Sequence, residues 1–106
     1  MISIEESAVI IEPTSPITIS GVANVYFFPK DEKCKNVKVK NPFIAVNVGN
    51  HKHLIINDFK KVVENNITYY VSVIRPLKTG YYELTVMADN KIFKPSNIAL
   101  MVKKDS

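Results

Sequence analysis

From Gly80 to Phe93 the chain reads GYYELTVMADNKIF, and Tyr82, Leu84 and Val86 fall on one side of a strict alternation. Period two is the mark of a half-buried strand, because successive Cβ atoms point to opposite sides of a pleated backbone. Asp89-Asn90 then offers two residues that tolerate positive φ, as a tight hairpin requires. The same period returns along the whole chain, and no segment keeps a 3.6-residue period for the length of a stable helix. That pattern confines the chain to an all-β solution.

Strands are predicted at AVII, followed by the turn cluster EPTSP (residues 12–16), and across ITISGVANVYFF before Pro29 and the charged loop KDEK. Phe43 to Val48 reads as a strand ending at Gly49-Asn50, with HLII as a short strand paired to it. TYYVSVI places Tyr69, Val71 and Val73 on one face and Tyr70, Ser72 and Ile74 on the other, and Ile98, Leu100 and Val102 alternate near the end. The segment NDFKKVVENN has Phe59, Val62 and Val63 at i, i+3 and i+4, which suits one helical turn after an Asn57 or Asp58 cap, or an irregular crossing between sheets. Seven or eight short strands in a chain of 106 residues predict one domain over 1–106, an antiparallel immunoglobulin-like β-sandwich. A small barrel is the alternative. Gly80 followed by an inward Tyr82 fits the place where such sandwiches pin a corner with a buried aromatic.

Composition closes several routes to function. No run of about 18 apolar residues exists to span a membrane, and the N-terminus MISIEESAVIIEP carries early glutamates where a secretory leader has basic residues. One cysteine, Cys34, allows no internal disulfide and no cysteine-based zinc site. Lys33 and Lys35 beside it favour a thiolate on sequence grounds. The net charge of +4 is spread along the chain. In KCKNVKVK, Val37 and Val39 alternate with Lys38 and Lys40 as on an exposed strand, without the aromatic residues that stack on bases, so no nucleic-acid partner is expected.

Catalytic arrangements are not legible. The serines at 15, 20, 72 and 96 lie in no nucleophile-elbow context, no glycine-rich phosphate loop occurs, and no cofactor is indicated. His51 and His53 in NHKHLII would share a side if they lay on a strand, making them the only metal-ligand candidates, with Asp58 or Glu64 to complete a site. Asn66-Ile67-Thr68 matches the N-glycosylation pattern. Tyr26, Tyr69 and Tyr82 fit inward positions, whereas Tyr70, Ile74, Tyr81 and Met87 are the expected outward apolar residues, available to a protein partner.

Read in order, VGNHKHLIINDFKKVVENN, YYVSV, PLKTGYYELTV and ADNKIFKPSN, preceded by GVANVYFFPKD and NPFIAVNVGN, resemble the small Z subunit of the Sox sulfur-carrier heterodimer of thiosulfate oxidation. The resemblance implies an immunoglobulin-like scaffold without catalytic residues. Its implied partner is a Y-type subunit whose C-terminal cysteine carries the sulfur, with periplasmic location by export alongside that partner. The sequence ends MVKKDS, with no cysteine after position 34, so on this resemblance it is expected to be the scaffold and not the carrier. The phrase from Pro76 to Val86, PLKTGYYELTV, is also similar to filamin-type repeats, which implies instead an interaction module of a larger structural or adhesive protein.

Overall fold

The computed structural model describes residues 1–14, 16–96 and 99–105, and alternation becomes strand wherever a partner is available. In the first sheet β1 (Ala8–Glu12) lies antiparallel to β3 (Ala23–Phe28), and β3 to β7 (Ile67–Pro76). β5 (Leu54–Ile56) and β6 (Lys60–Glu64) share the far edge of β7, opposite Ile74–Pro76 and Ile67–Val71 respectively. The second sheet runs β2 (Ile17–Thr18), β10 (Leu100–Lys103), β8 (Gly80–Ala88), β4 (Phe43–Val48), with β9 (Lys91–Phe93) also paired to β8. Among the described residues all strand pairings are antiparallel except β2 with β10. The architecture is therefore an all-β sandwich. Among the described residues there are ten strands where seven or eight were expected, because short segments such as β2, β5 and β9 pair only over two or three residues.

The inward set of each sheet builds the core. Val9, Ile11, Val25, Phe27, Tyr70 and Ile74 meet Tyr82, Leu84, Val86, Phe93, Leu100 and Val102, with Phe27 and Phe93 in ring contact at 4.9 Å between centroids. Burying a side chain of this size is worth about 1.5–3 kcal/mol, which makes this interleaved set the main source of stability in a chain without a disulfide. Ser72 is the buried polar side chain of the inner face, and its hydroxyl donates to the Asn57 carbonyl at 2.6 Å. That bond removes the desolvation cost of placing a hydroxyl there.

Several sequence expectations change. HLII does not pair with β4: the chain leaves β4 through Gly49 and a 3-10 turn at His51–His53 and enters the other sheet as β5. A 3-10 turn redirects the backbone, whereas a hairpin would have kept both strands in one sheet. The 57–66 segment contains no helical turn. Lys60–Glu64 is a strand because Asn65 and Asn66, at φ 50° and 65°, close a two-residue hairpin onto β7 and the β-branched Val62-Val63 pair suits the extended state. The residues around Val37 and Val39 form no strand, yet both valines pack inward and their flanking lysines stay exposed. The hairpin at Asp89-Asn90 is present, with φ 51° and 61°. Of the final alternation, Leu100 and Val102 are buried, and Ile98 lies outside the described residues, as does Ser15.

Candidate interaction surfaces

Tyr70 and Ile74 cannot meet a partner: they are 4% and 0% exposed. The alternation of TYYVSVI was right, but both of its faces are apolar, so parity alone could not say which one points inward. Register decided it, since Tyr70 opposes Phe27 and Ile74 opposes Ala23 across β3 and β7. Tyr70 has a structural task instead. Its hydroxyl accepts from the Val39 N–H at 3.1 Å and lies 3.3 Å from the Val39 carbonyl, tying the irregular lysine-rich segment to the core.

His51 and His53 do not form the strand pair expected of them. On a 3-10 turn, residues i and i+2 are rotated by about 240°, so the two imidazoles diverge. Among the described residues no group of three or more His, Cys, Asp or Glu side chains is arranged to hold a metal ion.

Tyr81 and Met87 do lie on one outward face, that of the second sheet. Met87 stands between Phe43 of β4 and Ile92 of β9 in a row across three strands, and Phe43 and Ile92 are about half exposed. Tyr81 pairs with Met101 at the other end of the sheet, about 20 Å away at strand rise. Glu83 and Thr85 separate the two apolar spots, and Thr85 donates to the Asn47 side chain at 2.9 Å. β4 itself is an edge strand. Its sequence FIAVNV carries no charge, and among the described residues its backbone pairs only with β8. Edge strands are usually blunted by lysine or proline within the strand, and β4 has neither, although its register shifts between Val46 and Val48.

A second surface escaped the sequence reading altogether. Tyr26 and Phe28 of β3 and Tyr69 of β7, with Ile10 and Glu12 of β1, line an open depression of about 290 Å³ on the outer face of the first sheet. The rings of Phe28 and Tyr69 lie 5.2 Å apart and those of Tyr26 and Tyr69 6.2 Å apart. Tyr26 and Tyr69 are thus outward, contrary to expectation. The available signal was the near-continuous apolar runs VYFF and YYVSVI, which are typical of strands covered on both faces.

Tyr82 is the inward aromatic that the sequence indicated. It is 2% exposed, and its hydroxyl donates to the Lys78 carbonyl at 2.7 Å, four residues upstream, in the manner of the corner tyrosine of immunoglobulin-like sandwiches. Burial pushes its proton affinity up. Cys34 behaves differently from the sequence expectation. Its thiol donates to the Glu6 carboxylate at 2.7 Å, and that bond, with local desolvation and the negative charge, raises its pKa despite the neighbouring lysines. The acidic group is brought from 28 residues away, and adjacent sequence could not reveal it.

These features define an immunoglobulin-like β-sandwich whose conspicuous surfaces are apolar faces and an open edge. The adhesin FdeC of Escherichia coli has this fold, with a TM-score of 0.77 and 13% identity over 99% of this chain and 33% of that one. Invasin, a bacterial integrin-binding protein, gives a TM-score of 0.69 at 20% identity, over 99% of this chain and 20% of that one. The Lin-41 filamin domain gives 0.61 at 9% identity, over 94% of both chains. This chain therefore spans about a third of FdeC and a fifth of invasin. No family model matches it, and no curated protein matches it in sequence. The filamin-like side of the resemblance is supported at the level of fold, and nothing points to the sulfur-carrier Z subunit.

Proposed function

We propose that the chain is a protein-interaction module of a larger structural or adhesive protein, and that it works by binding rather than by catalysis. The observation that carries this reading is the uncharged edge of β4, unpaired among the described residues, beside the row of half-exposed Phe43 and Ile92 flanking the partly buried Met87. An open edge offers backbone donors and acceptors to an added strand, and exposed apolar side chains beside it supply area that water leaves on contact. The fold shared with adhesin and filamin domains supports the same reading. Of the sulfur-carrier scaffold, only the coarse part is retained here, a sandwich that binds another protein.

The test is a pull-down from the source organism with cross-linking and mass spectrometry, using the chain and its Phe43→Lys/Ile92→Lys variant. A partner cross-linked near β4 and lost from the variant supports the reading. Equal recovery of every partner by both proteins sinks it.

A further inference from the structure

The depression on the first sheet combines two chemistries that point to one kind of ligand group. Its floor is aromatic, from Tyr26, Phe28 and Tyr69, and the polar side chain in its lining that carries charge is the carboxylate of Glu12. A second carboxylate, that of Glu64 on the paired strand β6, lies opposite Ile67 and so on the same outer face as Tyr69, one row along; after desolvation, its proximity holds the Tyr69 phenol above its ordinary pKa. Among the described residues no lysine or arginine lines the depression, in a chain whose net charge is +4. Register places two basic side chains on this face, Lys60 opposite Val71, one row from Tyr69, and Arg75 opposite Ile55, three rows from Tyr69. Aromatic ring faces and anionic oxygens both attract cations, and a planar guanidinium satisfies both, stacking on a ring while its edge donates to a carboxylate.

Size also restricts the occupant. The depression crosses three strands and is about 10–15 Å wide, well short of the ~800 Å² per partner that a stable dimer buries. It fits a side chain and its stem, and a second folded copy would rest on its rim.

We propose that the aromatic depression formed by Tyr26, Phe28 and Tyr69, flanked by Glu12 and Glu64, binds an arginine side chain presented by a segment of a partner protein. This surface lies on the opposite sheet from the β4 edge, so either site can fail without the other.

The probe is acetyl-Gly-Arg-Gly-amide, titrated into isotope-labelled protein by NMR, with the same peptide carrying citrulline in place of arginine as an uncharged isostere. The expected result is shifts at the rings of Tyr26, Phe28 and Tyr69, with the citrulline peptide at least about ten-fold weaker. Glu12→Gln/Glu64→Gln should also weaken arginine binding about ten-fold, or ~1.4 kcal/mol. Both glutamates are exposed, so the variant keeps its fold, which unchanged Tyr82 ring signals verify. Equal binding of the two peptides overturns the proposal, as do arginine-induced shifts scattered over other acidic residues or no ring shifts at all. Unchanged affinity in the double variant overturns the role of the carboxylates and with it the choice of arginine.

Discussion

A Cβ on Gly49 would stand 2.5 Å from Cδ1 of Tyr82, closer than real side-chain carbons approach, and Gly49 itself has φ +97°. Gly49 ends β4 and Tyr82 begins the inward set of β8, so the exit of one strand is shaped around the corner tyrosine of its neighbour. Replacing Gly49 by Ala imposes both an unfavourable backbone conformation and a clash with a buried ring. The expected cost is about 2–4 kcal/mol, read from urea denaturation. Unchanged stability would mean that the turn after β4 can relax away from Tyr82.

The Tyr82 hydroxyl tests the same corner from its other side. Tyr82→Phe removes the bond to the Lys78 carbonyl and should cost about 1–2 kcal/mol, more than a neutral exposed pair would, because the carbonyl loses its partner near the core. A pH dependence accompanies it. The folded pKa is raised and the unfolded phenol ionises near pH 10, so the contribution is complete below about pH 10 and is lost as pH rises through the folded value. The stability gap between wild type and Tyr82→Phe should therefore shrink in alkaline solution. A constant gap would show that the phenol is not held neutral by burial.

Cys34 supplies a chemical readout. With its thiol bonded to Glu6 and its pKa raised, its reaction with a disulfide reagent should be slow at neutral pH. Glu6→Gln removes the negative charge and leaves Lys33 and Lys35 in place. The rate should rise several-fold, and the pH midpoint of the reaction should move downward. Identical profiles for the two proteins would assign the slow reaction to something other than Glu6.

At the β6–β7 hairpin, Asn66 has φ +65°, a conformation that costs a β-branched residue about 1–2 kcal/mol. Asn66→Val should destabilise by that amount and Asn66→Gly should be neutral or slightly stabilising, both measured by thermal unfolding. The reverse order would contradict the positive-φ turn. Because β6 sets Val62 opposite Tyr69 and Glu64 one row along on the same face, the valine variant should also disturb the Tyr69 ring signals, whereas glycine should not.

Much of the fold was legible along single strands. GYYELTVMADNKIF contains its own strand, its buried face and its hairpin, and Tyr82, Leu84 and Val86 are buried as the alternation indicates. Local pattern failed where both faces of a strand are apolar, as at Tyr69 and Tyr70, since parity fixes two sides without naming them. It failed again at Lys60–Glu64, where an i, i+3, i+4 spacing of apolar residues coexists with a strand held by an Asn-Asn hairpin.

The sequence by itself determined the all-β class, the places of the main strands and the corner tyrosine, because period two, turn residues and a Gly before an inward Tyr act over a few residues. The tertiary structure alone decided which face of β7 is buried, which sheet β5 joins, the meeting of Cys34 with Glu6, and the gathering of Tyr26, Phe28 and Tyr69 on one outer face. Those outcomes depend on register between strands distant in sequence. A one-residue slip in any such pairing would turn every side chain to the opposite face, and no single strand contains the information that prevents it.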